Sequence, residues 1–304
     1  MTGDILVVGG DGFIGRAIQD YALNYGLKDA FTFVYRDSPA AVLEGLRGVR
    51  TEELLRDGAK ELGKARSAIF IVGNPCMDLA DEDPTKDLEQ DLWMLTGLVK
   101  HIRGSLVMLS SQAVYYGLEG EIPENANHVP MMPYGLSKQT VEGYAKYFLE
   151  TKALRRLWIF RLLYAYGKGE PDTRLIPRCA KAAATGEKVV VKGTASYLNP
   201  LPASFVAEAL AHAANSIMMK DAGRLEVTNL SSPQRVLASD VVTVLAATKR
   251  FEFKVDDKGE RWPVRYYGAT ANLTEHMKDW RLAFPDARSS VREHFLNMVR
   301  EGGK

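Results

Sequence analysis

The start of the chain restricts its fold more than any other segment. Ile5-Leu6-Val7-Val8 is a short apolar run that ends directly in Gly9-Gly10-Asp11-Gly12-Phe13-Ile14-Gly15. Apolar residues then recur at Ile14, Ala17, Ile18 and Ala22, a helical spacing. Glycine lets a backbone approach a pyrophosphate closely, and the amino terminus of a helix offers unpaired N–H groups and a positive dipole end. Many tight turns use glycine, so the turn alone is a weak signal. Set between a buried strand and an amphipathic helix, it predicts a dinucleotide site built from Gly9, Gly12, Phe13, Ile14 and Gly15.

The alternation continues. Phe31-Thr32-Phe33-Val34-Tyr35, Ala68-Ile69-Phe70-Ile71-Val72, Leu106-Val107-Met108-Leu109 and Leu157-Trp158-Ile159-Phe160 read as buried strands. A helix is predicted from about residue 86 to 102, with Leu88, Leu92, Leu95 and Val99 in helical register. Another begins near Tyr134 and carries Val141, Ala145 and Phe148 on one side. Residues 44 to 66 hold a strand that the pattern places only weakly. The expectation is an α/β fold, a doubly wound parallel sheet of the Rossmann type. After about Gly167, prolines at 171, 177, 200, 202, 233, 263 and 285 break the rhythm. The chain therefore reads as a dinucleotide-binding domain over 1–166 and a smaller substrate-binding lobe over 167–304, some segments of which return to the sheet.

Composition closes off other classes. Across 304 residues, 46% are apolar and 25% charged, which excludes a disordered or fibrous chain. Lys plus Arg number 39 against 38 Asp plus Glu, so nothing global draws the chain to nucleic acid or an anionic membrane. Cys76 and Cys179 stand far apart without CxxC spacing, so reduced thiols are expected and neither a metal site nor a disulfide framework. No basic leader precedes the first strand and no apolar run approaches the ~18 residues of a membrane span, the pattern of a cytoplasmic protein.

Tyr134-Gly135-Leu136-Ser137-Lys138 sets Tyr134 and Lys138 on one helix face. A neighbouring ammonium is expected to lower the tyrosine pKa and make the phenol a usable general acid or base. Upstream, Ser110-Ser111-Gln112-Ala113-Val114-Tyr115-Tyr116-Gly117 follows a buried strand, where a serine can hydrogen-bond a substrate oxygen. Tyr35-Arg36-Asp37-Ser38 lies about 20 residues beyond the glycines, where the adenosine ribose is read. An arginine there accommodates a 2′-phosphate and a carboxylate accepts from the ribose hydroxyls. Arg36 comes first, so NADP is preferred, with NAD held through Asp37 as the alternative.

With these residues the chain resembles the extended short-chain dehydrogenase/reductases, the NAD-dependent epimerase/dehydratase family. The resemblance rests on the glycine turn, Ser-Ser-Gln-Ala-Val-Tyr, Pro133-Tyr134-Gly135-Leu136-Ser137-Lys138 with Glu142, and Arg161-Leu162-Leu163-Tyr164-Ala165-Tyr166-Gly167. Val206-Ala207-Glu208-Ala209-Leu210 and Val227-Thr228-Asn229-Leu230 look like later landmarks of the family. It implies that Ser111 orients the substrate, Tyr134 moves the proton, Lys138 holds the ribose and tunes Tyr134, and Leu163 lies by the coenzyme. The chain departs from the family in several places. The family's hydroxyl residue, counted back four from Tyr116, is Gln112; counted back from Tyr115 it is Ser111, the reading preferred here. The Asp-Glu pair of the dehydratases is replaced by Gln112-Ala113, neither of which transfers protons. Tyr164 stands where many epimerases carry asparagine, and the arginine that usually grips the diphosphate is missing near Leu198-Asn199. Gln112, Tyr164, Arg174, Arg178, Asn199 and Arg261 are the candidates for substrate contact, with Arg265 a further cation.

The leading expectation is an oxidoreductase that reduces a keto group of a nucleotide sugar, with Tyr134 handling the proton. The alternatives are a nucleotide-sugar 4-epimerase with tightly bound NAD, a reductase of a non-sugar carbonyl, and a non-catalytic redox sensor. A sensor needs none of Ser111, Tyr134 and Lys138, so their joint presence counts against it. The helices near 86–102 and 134–150 are expected to form the seam of a homodimer.

Overall fold

A computed structural model of the chain describes residues 5–57, 65–73, 80, 82–256, 258 and 262–302. Seven parallel strands form the central sheet: β1 (Ile5–Val8), β2 (Phe31–Tyr35), β3 (Arg47–Arg50), β4 (Ala65–Phe70), β5 (Ile102–Ser111), β7 (Arg156–Leu162) and β11 (Arg224–Leu230). Their order is β11-β7-β5-β4-β1-β2-β3. The chain runs outward from β1 to β3, then crosses back to start β4 on the other side of β1. That reversal opens a crevice beyond the carboxyl ends of β1 and β4, the place where such sheets bind ligands.

The inner strands alternate between two cores. Ile5 and Val7 face one layer with the helices Phe13–Asn24, Ala203–Ile217 and Ala271–Trp280, whereas Leu6 and Val8 face the helices Pro84–Val99 and Pro133–Glu150. Burial on both faces explains why β1 reads as an unbroken apolar run, whereas the edge strand β3, Arg47-Gly48-Val49-Arg50, has no buried residue and no such run. Three short parallel pairs flank the sheet: β6 (Gly120–Ile122) with β13 (Tyr266–Gly268), β8 (Tyr164–Tyr166) with β10 (Pro200–Pro202), and β9 (Val189–Val191) with β12 (Phe253–Val255).

Beyond residue 167 the chain packs in two places. The helix Ala203–Ile217 lies on Phe13–Asn24, and β11 extends the sheet beside β7, where the Trp158 indole donates to Thr228 Oγ1 at 2.9 Å. The rest encloses a separate core that includes Ile176, Cys179, Val191, Val241, Leu245, Val291 and Phe295. Burial there pushes the Cys179 thiol up to about 12. Cys76 lies outside the described residues.

One boundary differs from the periodicity. The helix expected to reach 102 ends at Val99, and β5 already begins at Ile102. Ile102 pairs with Ala65 ahead of a register shift, so its burial comes from the sheet although its spacing is helical. Among the described residues no helix is long and apolar enough to cross a membrane, and no group of three or more His, Cys, Asp or Glu is placed to hold a metal ion.

Candidate active site

The glycine turn is a fitted seat. A Cβ on Gly15 would collide with the backbone of Gly9 and Gly10, so the helix Phe13–Asn24 presses directly onto the turn. Gly9 has a positive φ of 91°, and a Cβ there would stand 3.1 Å from the Ile71 carbonyl. Gly12 is different: it is exposed, and a Cβ would meet only Gly9 O at 3.4 Å, which leaves the turn open above it. Gly12 also caps the helix without a side-chain hydrogen bond, so no side-chain cap covers the first-turn N–H groups that face outward. An open turn at a bare helix terminus, on the crevice of the sheet, fits the pyrophosphate of a dinucleotide. Phe13 and Ile14 pack down against the core below.

Sequence reading missed the anchor of this turn. Gln19 is fully buried; its amide donates to Gly10 O (2.7 Å) and Ala41 O (3.0 Å) and accepts from Leu43 N (2.7 Å). A glutamine on the apolar face of the helix, beside Ile18 and Ala22, was the available signal.

At the corner expected to receive the adenosine, β2 stops at Tyr35 and Arg36 follows it directly. The Arg36 N–H donates to Asp11 Oδ2 at 3.1 Å, fastening this corner to the glycine turn. Its guanidinium donates to the Asp37 carboxylate at 3.0 Å, in a pair whose side chains are 67% and 77% exposed.

The residues expected to form the reaction centre meet where β5 reaches the helix Pro133–Glu150. Ser111 ends the strand and its Oγ accepts from Ala113 N at 3.1 Å, which turns the chain into the short helical segment Gln112–Tyr115. A Cβ on Gly135 would strike the Ala113 carbonyl, so only glycine allows the helix to seat here. That approach sets Tyr134, at the start of the helix, beside the end of β5, where the Ser111 hydroxyl acts on the phenol. Lys138 Nζ lies 5.5 Å from the centre of the Tyr134 ring and donates to Asp91 Oδ2 (2.6 Å) and Val72 O (3.3 Å). Gly73 makes this possible, since a Cβ there would overlap the ammonium.

Electrostatics at the phenol run against the sequence expectation. Burial pushes the Tyr134 hydroxyl above its ordinary value, and Asp91 and Asp87 push the same way, outweighing the opposing pull of Lys138 and Ser111. The expectation considered the ammonium alone. Burial would lower Lys138, but Tyr134, Asp91 and Asp87 together raise it, so it stays charged. The centre holds a protonated phenol beside a firmly protonated amine.

The doubled tyrosine divides its roles. Tyr115 is buried; its hydroxyl accepts from Arg161 Nη1 (2.6 Å) and donates to Asn229 Oδ1 (3.0 Å), while Arg161 grips Glu142 with Nε (3.0 Å) and Nη2 (2.7 Å). This network ties the segment Gln112–Tyr115, β7 and β11 to the helix that carries Tyr134. Tyr116 instead meets Trp262 edge-on at 5.4 Å. Gln112 is fully buried, its amide lies against Gly268, and neither amide atom has a hydrogen-bond partner.

Of the remaining candidates, Leu163 packs with Val114, Tyr115, Ile122 and Tyr266. The Tyr164 hydroxyl donates to Glu170 Oε1 at 2.7 Å, and the Arg174 guanidinium lies 4.0 Å over its ring while donating to Ala165 O at 2.7 Å. Arg178 donates to Val190 O at 2.5 Å. The buried Asn199 donates to Ser232 O and accepts from Val236 N, both at 3.2 Å, which holds its φ of 41°. Arg265 pairs with Glu119 at the surface. Arg261 lies outside the described residues. Arg174 and Arg178 are thus each bonded to a nearby backbone carbonyl, and Asn199 joins its own turn to the segment at Ser232–Val236.

Over residues 5–201 the chain matches the family model described as the NAD dependent epimerase/dehydratase family. No curated protein shows a significant match to it. Solved structures share its fold. MoeE5 in complex with UDP-glucose and NAD superposes with a TM-score of 0.83 at 20% identity, covering 99% of this chain and 100% of that one. The UDP-glucose 4-epimerase of Thermotoga maritima with UDP-glucose gives 0.80 at 17% identity, with 99% of each chain covered. TunA, an NAD-dependent NDP-hexosamine 5,6-dehydratase involved in tunicamycin biosynthesis, gives 0.80 at 20% identity, covering 98% of this chain and 97% of that one. With a glycine turn, sheet order and Ser-Tyr-Lys cluster of this kind, and a family match across most of its length, the chain belongs to the NAD-dependent epimerase/dehydratase family.

Proposed function

We propose that this chain reduces a keto group of a nucleotide-activated sugar, using NADPH in preference to NADH. The observation that carries the reading is the cluster of Ser111, Tyr134 and Lys138 where β5 meets the helix Pro133–Glu150, with Lys138 Nζ 5.5 Å from the Tyr134 ring and Gly135 seated on the Ala113 carbonyl. A bound nicotinamide dinucleotide supplies the hydride. Gly12 and the helix terminus receive the pyrophosphate. Lys138 has three protons, and Asp91 and Val72 O take two, which leaves one for a ribose hydroxyl. Ser111 orients the substrate oxygen and Tyr134 delivers its proton to it.

Two features support NADP. Arg36 sits at the end of β2, and its exposed pairing with Asp37 is of a kind worth only about 0–1 kcal/mol. A doubly charged 2′-phosphate can therefore recruit the guanidinium. The nucleotide-sugar substrate draws support from MoeE5 and the Thermotoga maritima epimerase, both of which bind UDP-glucose. Gln112-Ala113 in place of an acid-base pair disfavours dehydration.

A 4-epimerase with bound NAD is the second reading, favoured by the Asp37 carboxylate beside Arg36. The two separate on product analysis. The protein is incubated with NADPH or NADH and a set of UDP- and dTDP-4-keto-sugars, and in parallel with UDP-glucose and NAD. Coenzyme oxidised in step with alcohol formed is the expected result. UDP-galactose appearing without net change in coenzyme selects the epimerase, and no product in either arm overturns both.

A further inference from the structure

Asp87 and Asp91 lie one turn apart on the helix Pro84–Val99; the reading above uses Asp91 only as a partner of Lys138 and gives Asp87 no role. The Asp91–Lys138 ion pair closes at 2.6 Å with side chains only 2% and 4% exposed. Asp87 is 7% exposed, and neither of its carboxyl oxygens has a hydrogen-bond partner. A carboxylate in the first turn of a helix is favoured by the helix dipole, but that accounts for a solvated one. A sealed, unpartnered carboxyl costs stability and calls for another reason.

The groups that act on Tyr134 are Lys138 on its own helix, Asp91 and Asp87 across the helix pair, and the Ser111 hydroxyl at the end of β5. Those that act on Lys138 are Tyr134, Asp91 and Asp87. Glu142, the next acid along the Tyr134 helix, is neutralised by Arg161 and Lys146. Around the phenol, two carboxyl groups thus stand against one ammonium, in surroundings where water screens little.

We propose that Asp87 and Asp91 are positioning residues for the reaction: Asp91 fixes the Lys138 ammonium beside the Tyr134 ring, and Asp87, sealed one turn away without a partner, adds a second buried carboxyl to the same helix face. The pair sets how far into alkaline pH Tyr134 stays in the acid form that reduction draws on, at the expense of a phenolate that is harder to form. When the Tyr134 O–H bond breaks and the O–H bond of the product alcohol forms, the phenolate left behind faces both carboxyl groups. It is then the costly state, and recovers its proton from solvent. The inference rests on Tyr134 being the proton-handling group.

Its test has one arm that needs no substrate. Tyrosinate absorbance is titrated in the wild type and in Tyr134→Phe, and the difference isolates Tyr134. The titration is repeated in Asp87→Asn and Asp91→Asn, each against its own Tyr134→Phe control. Asp87→Asn breaks no hydrogen bond, so it should fold at least as stably as wild type and move the Tyr134 ionisation down by about one pH unit. Asp91→Asn should move it down as well and also weaken coenzyme binding, by freeing Lys138. In the second arm, the alkaline limb of the reduction rate should fall to lower pH in step with the titration. Retention of turnover by Tyr134→Phe would remove the functional reading and this inference with it. An inactive Tyr134→Phe, with the Tyr134 ionisation unmoved in both asparagine variants, would overturn this inference alone.

Discussion

Replacing Lys138 by methionine should destabilise the protein before any coenzyme is added. Methionine roughly preserves the volume of the aliphatic stem but deletes the ammonium, and Asp91, 2% exposed and bonded to that ammonium at 2.6 Å, loses its counter-charge. Removing one partner of a buried ion pair costs about 3–5 kcal/mol, because the survivor is left charged in a poorly solvated site. The size should depend on pH. Burial already holds the Asp91 carboxyl above its ordinary value despite Lys138, and the variant should raise it further. A carboxyl raised in this way binds its proton more tightly folded than unfolded. Its penalty therefore grows as pH climbs from the unfolded value, about 3.9, through the folded one, and lessens in acid. Urea unfolding followed by tryptophan fluorescence, near neutrality and in mild acid, measures both features. Near neutrality the loss should be about 3–5 kcal/mol; in mild acid it should be smaller, and Lys138→Met/Asp91→Asn should recover much of it. A loss below about 1 kcal/mol at both pH values, or a double variant no better than the single one, would refute the reasoning.

Two further outcomes concern the site. Ser111→Ala should lower single-turnover hydride transfer by about 10²-fold through loss of an oriented hydrogen bond, while Gln112→Ala, whose amide faces Gly268, should have a mild effect on rate; the reverse pattern would assign the substrate-orienting role to Gln112. Arg36→Ala should erase most of a preference for NADPH of about 5- to 150-fold, and Asp37→Ala should leave it in place, as read by direct titration of both coenzymes.

The parts legible in the sequence are those whose physics is local. A buried parallel strand has to be apolar on both faces, so Ile5-Leu6-Val7-Val8 and Leu157-Trp158-Ile159-Phe160 announced themselves. The glycine turn reads directly because Gly15 cannot carry a Cβ against Gly9 and Gly10. What the sequence hid depends on partners distant along the chain. Ile102 continues a helical register yet belongs to β5, because Ala65 pairs with it. Asp87 and Asp91 look like the solvated face of a helix until the fold seals both and brings Lys138 to Asp91. The arginines were equally opaque. Nothing in the spacing told that Arg174 would stack on Tyr164 or that Arg178 would reach Val190 O.

The central claim is that Tyr134 moves the proton at a site where the coenzyme is held by other groups. It is tested most directly by Tyr134→Phe, with coenzyme affinity and single-turnover hydride transfer measured on the same preparation, using the nucleotide sugar that the wild type turns over. Phenylalanine preserves the packing of the ring and deletes only the proton-bearing oxygen. The account predicts coenzyme affinity close to that of the wild type and a hydride-transfer rate lower by about 10²- to 10⁴-fold. A variant that keeps a tenth or more of the wild-type rate would contradict it.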